Sequence, residues 1–385
     1  MKPLRILHFA GGMARGGVEH LIMNIYRQID RTRIQFDFVY YDDTPYHYDE
    51  EIGALGGVIH RLARPRSPLH RFITTLNFLR QHPDYTAVHV HDVFHGGYYL
   101  LAATVSGRCR RIAHAHATET NKRLSRWGRL YQQLSIYLIR QCVTLRLACG
   151  RAAGHFLFGA RPFHIVPSCI DMEHFRTAFN LQNRNYVRSA LNLPTSTKIL
   201  CQIGRLEEQK NPLFTLALAK ELRDEQYAFH LVLIGNGQLR AVIEREIRQF
   251  KLHDYVSLLG ERDDIPALMG GADVILCPSH YEGFPLVLVE AQVVGLPAIV
   301  ATTVSREVDL GVGLVTFADM DSPSRWTSII RRLQPPSGST GERQRAIQRG
   351  GHDAARTANA LLRLYTLPIG QRDTTMDNRQ HVSNE

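Results

Sequence analysis

Residues Pro278–Pro297 read PSHYEGFPLVLVEAQVVGLP. An apolar strand, Val274 to Cys277, leads into a loop from Ser279 to Gly283, and a helix follows. Pro285 suits the first turn of that helix, where its missing N–H costs nothing. Leu286, Leu288, Val289 and Val293 supply an apolar face, and Gly295-Leu296-Pro297 ends the helix. Glu282 therefore stands just before unpaired backbone N–H groups, which together with the helix dipole attract anions. Glu290 lies eight residues further on. The two acids read either as a loop acid and a solvated helix acid, or as anchors for hydroxyls on two ends of one ligand, such as a sugar and a ribose.

The same strand–turn–helix unit recurs in both directions from this stretch. Residues 4–10 read as a strand, followed by the turn GGMARGGVEH and a helix from about Val18 to Gln28. Strands at 36–41, 87–91 and 111–116 alternate with helices near 69–81, 96–107 and 125–142. FHIVPSCIDMEHF, 163–175, closes this series, and the polar run 180–198 fits a connection. The alternation restarts with strands at 198–204, 229–235, 255–260, 273–278 and 298–302, and helices near 212–224 and 238–250. This pattern predicts an α/β chain of two domains, each a parallel sheet with helices on both faces. SPSRWTSIIRRL (322–333) and AARTANALLRLY (354–365) read as helices, PPSGSTG (335–341) as a flexible break, and 368–385 as a disordered tail.

Three strand-to-helix turns carry glycine or cations. Gly11, Gly12, Gly16 and Gly17, with Glu19 at the helix start, allow close backbone approach to a phosphate, or form an ordinary tight turn. GRLEEQKN, Gly204–Asn211, offers Arg205 as a planar fork and Lys210 as a compact charge. At the C-terminal end of a parallel strand these face the ligand crevice of an α/β sheet; elsewhere they would be solvated surface charges. LIGNGQLR places Gly235, Asn236 and Gly237 in a further turn, and Arg262 follows Gly260-Glu261. Asp264 reads as the cap of the next helix.

The whole of 278–297 resembles the E-x7-E segment of retaining glycosyltransferases of family 4, which have the GT-B fold of two facing Rossmann-like domains. Ser279, Glu282, Gly283, Phe284, Pro285, Glu290, Ala291, Gly295 and Pro297 carry the match. Arg205, Lys210 and Asn211 resemble the family's G-R-x5-K-N signature. The resemblance covers about 4–335. It implies that Arg205 and Lys210 bind the donor diphosphate and stabilise the leaving group, offsetting charge without a metal. It also implies that Glu282 and the helix N-terminus at Gly283–Leu286 orient the sugar, and that Glu290 holds the ribose. Gly16, Gly17, Gly204, Gly235, Asn236, Arg262, Phe284 and Pro285 join the implied donor site. HAHATET resembles the family's histidine-bearing loop, which implies that His116 touches the donor sugar, with His114 the other candidate. His91 and Glu19 fall on the acceptor side. VPSCIDMEHF departs from the family's hinge pattern, with Ser168-Cys169 where Asn-Gly is usual, while Asp171 and Phe175 remain.

Composition narrows the classes. Of 385 residues, 44% are hydrophobic and 21% charged, as in a soluble globular protein. No run is long and apolar enough to span a membrane, and Gly11-Gly12 ends the first apolar run too early for a signal peptide. The cysteines Cys109, Cys142, Cys149, Cys169, Cys201 and Cys277 have no C-x2-C spacing and read as buried thiols in a reducing compartment. His89, His91, His114 and His116 form two H-x-H pairs with only Asp92 as a nearby carboxylate, so no metal site is expected. The net charge of +10 allows nucleic acid, an anionic membrane or an anionic substrate as partner. Leu124, Trp127, Leu130/Tyr131, Leu134 and Leu138 recur at helical spacing beside Lys122, Arg123, Arg126 and Arg129. That helix either faces the core with a basic edge, or lies on a membrane with its cations on anionic lipid.

The expected organisation is an acceptor domain (1–175), a connection (176–197), a nucleotide-sugar domain (198–335), a linker and helix packing back on the first domain (336–367) and a tail (368–385). The expected function is retaining, metal-independent transfer of a sugar from a nucleotide diphosphate, UDP by the family's default, to a saccharide acceptor of the lipid-linked kind. EAQVVGLP and SREVDLGVGLV resemble the family's exopolysaccharide and capsule branch. The expected location is cytoplasmic, with 122–138 on the inner-membrane surface and no nucleic-acid partner. A sugar-nucleotide 2-epimerase of the same fold and a basic membrane- or nucleic-acid-binding protein are the other readings.

Overall fold

The computed structural model describes residues 2–107, 109–117, 124–176, 184–282, 284–333 and 340–366. They fall into two compact units, one made of the chain up to Cys169 together with the chain from Ala354, the other Ile170–Asp353.

In the first unit the strands are β1 (Leu4–Phe9), β2 (Ile34–Tyr40), β3 (Ile59–Arg61), β4 (Tyr85–Val90), β5 (Arg110–Ala115), β6 (Leu145–Ala148) and β7 (His164–Ile165). The helices between them are α1 (Gly17–Gln28), α2 (Asp49–Ala54), α3 (Pro68–Gln81), α4 (Gly96–Ser106), α5 (Arg126–Cys142) and α6 (Arg151–Phe158). The strands pair in the order β3-β2-β1-β4-β5-β6-β7, and every pair is parallel. Strands buried on both faces explain the near-continuous apolar runs of β1, β2 and β4. On one face Ile6, Phe36, Ala87, Ile112 and Leu147 pack in one core, and on the other Leu7, Val88, Val90 and Ala113 pack in a second.

The second unit holds α7 (Met172–Arg176), α8 (Tyr186–Ala190), β8 (Lys198–Ile203), α9 (Pro212–Asp224), β9 (Phe229–Ile234), α10 (Arg240–Gln249), β10 (Val256–Gly260), α11 (Ile265–Gly271) and β11 (Val274–Cys277). It continues with α12 (Leu286–Val294), β12 (Ala298–Ala301), β13 (Val315–Ala318), α13 (Pro323–Arg332) and α14 (Thr340–Gly350). Its parallel sheet runs β10-β9-β8-β11-β12-β13. In both sheets the order reverses beside the first strand, at β1/β4 and at β8/β11. Open α/β sheets bind ligands beyond the strand C-termini at such switch points.

The boundaries differ from those expected from sequence. The supposed connection 176–197 includes α8, which is tied to the second sheet. Arg188 bonds the carbonyls of Thr197 and Gly271 and pairs with Asp273, whose carboxylate also accepts from Ile199 N at 2.7 Å. The expected break and linker contains α14, which packs on α12, so the second unit extends to Asp353. The last helix, α15 (Ala354–Thr366), packs on α1, with Ala358, Leu361, Leu362 and Tyr365 in the first unit's core. The tail 368–385 lies outside the described residues.

Candidate active site

The loops after β8, β9 and β10 are knit together by their backbones. Gly204 N donates to Ile234 O at 2.9 Å, Leu206 N to Asn236 O at 2.9 Å and Gly235 N to Gly260 O at 2.7 Å. Gly235 has φ +129° and lies so close to Gly204 that any Cβ there would collide with the Gly204 carbonyl. Here glycine is required by backbone approach. The Lys210 side chain runs over Gly204, its Cε 3.1 Å from where a Cβ would stand.

Lys210 is held from below. It ends a single 3-10 turn, Glu208–Lys210, and its carbonyl accepts from Gln202 Nε2 at 2.7 Å. The Gln202 Oε1 in turn accepts from Thr215 Oγ1 at 2.7 Å. Asn211 then turns left-handed (φ 50°, ψ 51°) and caps α9, with Pro212 opening the helix.

The loop after β11 meets this one. His280 N donates to Gln209 O at 2.9 Å, and Gln209 Nε2 to Tyr281 O at 3.1 Å. Ser279 is buried, and its carbonyl accepts from Thr303 Oγ1 at 2.6 Å. These contacts bring Lys210 Nζ into an ion pair with Glu282 Oε1. The two side chains are only 20% and 8% exposed, so the pair is largely desolvated. Glu282 Oε2 is buried and has no hydrogen-bond partner among the described residues. Beneath the pair, burial pushes the Cys277 thiol up to about 11, with the Glu282 charge adding to it. α12 begins at Leu286 with Pro285 as its cap, one residue later than expected, and Glu290 is buried in its second turn.

Other expected donor residues have other engagements. Arg205 is exposed and pairs with Glu207 at 3.0 Å. Arg262 grips Asp264 with two bonds, Nε to Oδ1 at 2.8 Å and Nη2 to Oδ2 at 2.7 Å, while Tyr186 donates to Asp264 Oδ2 at 2.7 Å. Asp264 thus stands at the cap of α11 but makes no side-chain cap bond, because Arg262 and Tyr186 take its carboxylate. Asn236 accepts from Gly237 N at 3.0 Å, and Phe284 stacks on His352 with centroids 4.6 Å apart. Gly283 lies outside the described residues. Gln202 and Thr215 were not singled out in the sequence. Their alternation into the interior of β8 and α9 marks them as buried polar groups only once the strand and helix are paired.

In the first unit Gly16 caps α1 and Gly17 opens it. A Cβ at Gly16 would collide with the Glu19 carboxylate, which folds back over it. On the β1, β4 and β5 face that carries Ile6, Ala87 and Ile112, the strand ends turn to histidine. His8 Nδ1 lies 3.1 Å from His91 Nε2, His91 Nδ1 lies 3.0 Å from His116 Nε2, and His89 Nδ1 lies 2.8 Å from Tyr365 Oη. Burial depresses all of them: His8 to about 3, His116 to about 4, and His89, His91 and His114 well below the usual imidazole range. His114 is fully buried and His116, at the strand end, half-buried. His8 was not named from the sequence, since a lone histidine in an apolar strand gives no signal until β4 is paired beside it.

The basic helix corrects the core-facing reading. α5 buries Gln132, Ser135, Ile139 and Cys142, with Tyr131 stacked on Tyr98 at 4.9 Å. Trp127, Leu130, Leu134 and Tyr137 are instead exposed, by 80%, 56%, 47% and 58%. Leu138 is half-buried, and Lys122 and Arg123 lie outside the described residues.

Two family models match this chain: Glycosyltransferase Family 4 over residues 15–174 and Glycosyl transferases group 1 over 183–308. A protein of Bacillus subtilis named "Putative glycosyltransferase EpsF" is 37% identical over 372 residues, 94% of this chain and 96% of its own length. The chain belongs to the family 4 glycosyltransferases. An Escherichia coli relative, UDP-Gal:alpha-D-GlcNAc-diphosphoundecaprenol alpha-1,3-galactosyltransferase, is 30% identical over 228 residues, 56% of this chain and 58% of its own. Anabaena HepE, solved in complex with UDP, superposes with a TM-score of 0.76 at 17% identity, covering 94% of this chain and all of that one. This glycosyltransferase therefore has the GT-B fold and is an enzyme that uses a nucleotide sugar. Its Lys210–Glu282 pair lies at the β8/β11 switch point of the second sheet.

Proposed function

We propose that this glycosyltransferase transfers a sugar from a UDP-sugar to a lipid-linked saccharide in surface polysaccharide synthesis, with retention of configuration and no metal at the donor diphosphate. The observation that carries the reading is the Lys210–Glu282 pair, with one carboxylate oxygen paired and the other buried with no partner among the described residues. A buried carboxylate oxygen without a donor fits a sugar hydroxyl, and the ammonium beside it fits a diphosphate oxygen. The backbone N–H groups opening α12 add to the anion site, and Glu290 in its second turn takes the ribose. Arg205, exposed and paired with Glu207, swings to the diphosphate when the donor arrives.

In this reading the C1–O bond to the diphosphate breaks as the acceptor oxygen bonds C1 from the same face. The acceptor proton passes to the departing diphosphate oxygen, and UDP leaves. Lys210 and Arg205 offset the negative charge growing on the leaving group, the largest electrostatic demand of the step.

The UDP choice is supported by the UDP-bound neighbour and the UDP-Gal relative, and the lipid-linked acceptor by that relative's diphosphoundecaprenol substrate. α5 supports work at an anionic membrane surface. Its exposed Trp127, Leu130, Leu134 and Tyr137 share one face, and the exposed Arg126 and Arg129 stand beside them. Among the described residues no helix is long and apolar enough to cross a membrane.

A panel of nucleotide sugars, scored for nucleoside diphosphate release with EDTA present, tests the reading. Release from one UDP-sugar only when membrane lipid extract is added is the expected result. Conversion of the sugar without release, or release that EDTA abolishes, would contradict it.

A further inference from the structure

Arg71 stands in the first turn of α3, half-buried, and no carboxylate pairs with it among the described residues. Its Nη1 donates to Tyr99 Oη at 2.7 Å. Its guanidinium lies over two phenol rings, 4.9 Å from the Tyr41 centroid and 5.7 Å from that of Tyr99. Tyr131 of α5 presents a further phenol oxygen within its reach. Neutral oxygens and ring faces orient a guanidinium but leave its charge unneutralised.

The surroundings fix this side chain in place. Thr75 Oγ1 donates to the Arg71 carbonyl at 2.7 Å, so the Tyr41 hydroxyl, 2.5 Å from Thr75 Oγ1, is the donor in that second bond. The Tyr41 and Tyr99 rings are nearly parallel, 7° between planes, and Tyr99 stacks on Phe9 at 4.3 Å. Asp92 is the acid whose charge reaches Tyr99 and Tyr131. Its carboxylate is already engaged by Phe94 N at 2.7 Å, His95 N at 3.0 Å and His95 Nδ1 at 2.7 Å. The group lies at the C-terminal edge of the first sheet, since Phe9 ends β1 and Tyr41 follows β2. Tyr131 ties it to the outer face of α5, where the neighbouring Leu130 and Leu134 are exposed.

We propose that Arg71 binds the diphosphate of the lipid-linked acceptor, its guanidinium fork on the phosphate oxygens and the Tyr99 and Tyr131 hydroxyls beside it. This rests on the reading that the acceptor is a saccharide carried on a lipid diphosphate. The diphosphate of such a molecule stands between the bilayer that holds the lipid and the reaction centre that takes the sugar. Arg71 has the matching place in the first unit, with Tyr131 of α5 on one side and Tyr41, at the end of β2, on the other. A planar fork grips phosphate oxygens in pairs, which a point charge cannot do. Stacking on two phenols holds that fork ready, so less ordering is lost when the ligand arrives. The N-terminal ends of α3 and α4 favour the same charge. A bilayer phospholipid presents the same phosphate oxygens, so the test separates the two sources.

The probe is farnesyl diphosphate in a non-ionic detergent, titrated into the full-length chain with UDP present to fill the donor site. Farnesol is the phosphate-free control. Arg71→Gln should weaken farnesyl diphosphate binding at least about 10-fold, the lower end for losing hydrogen bonds to a charged group. Arg71→Lys keeps the charge and loses the fork, so its affinity should fall between the two. It carries the same comparison should Arg71→Gln melt early. Farnesol binding, and flotation with phosphatidylglycerol vesicles, should be the same in all three proteins. Farnesyl diphosphate binding that both variants leave unchanged overturns the proposal. Loss of flotation in Arg71→Gln assigns the arginine to phospholipid headgroups and overturns it too. If the unaltered chain does not bind farnesyl diphosphate, the lipid-linked acceptor itself is in error and the proposal falls with it.

Discussion

Lys210 and Glu282 were each legible in the sequence, but as separate contacts to a diphosphate and to a sugar. Their pairing depends on two loops from different strands being sewn together by His280, Gln209 and Tyr281, which no local pattern reports. The pair separates stability from catalysis. Lys210→Gln strands a buried carboxylate, a situation that costs up to about 3–5 kcal/mol. It also removes a leaving-group cation, which should lower kcat about 100- to 1,000-fold. The double variant Lys210→Gln/Glu282→Gln should regain most of the stability and none of the turnover. Urea denaturation and initial rates, run in parallel, check both. Recovery of turnover in the double variant would show that the pair acts only as a structural bridge.

Among the elements, α5 taught most. Its apolar periodicity was plain, yet spacing alone cannot say which side of a helix meets the core. The answer comes from neighbours. Any Cβ at Gly97 would collide with the Ser135 backbone, and the Ser135 hydroxyl joins Gly97 N at 3.0 Å to Val93 O at 2.8 Å. That close approach buries the face with Gln132 and Ser135 and turns Trp127 and Leu134 outward. Because those side chains are exposed, Trp127→Glu/Leu134→Glu should leave folding intact, within about 0.5 kcal/mol per site. It should abolish co-flotation with phosphatidylglycerol vesicles, which the unaltered chain should show and high salt should weaken. Equal flotation of both proteins, or none by the unaltered chain, would remove the membrane role of α5.

At the scale of the whole chain, the two parallel sheets could be read directly, because β-branched runs buried on both faces alternate with amphipathic helices. The short strands β3 and β13 were not, since three or four residues carry too little pattern. α14 was hidden behind a Pro- and Gly-containing run that reads as a break. The return of α15 to the first unit follows the family resemblance and the apolar stripe of Ala358, Leu361, Leu362 and Tyr365. The histidine layer was half legible: the H-x-H pairs stood out, but their convergence with His8 needed the register of β1 against β4, in which His8 faces His89.

The central claim is transfer with retention of configuration, organised by Lys210 and Glu282. It is tested most directly by the anomeric configuration of the first product, read from one-bond C1–H1 coupling by NMR after reaction of the full-length chain with an α-linked UDP-sugar and its lipid-linked acceptor. The account predicts an α-linkage in the product. A β-linkage would mean back-face displacement, and would contradict it.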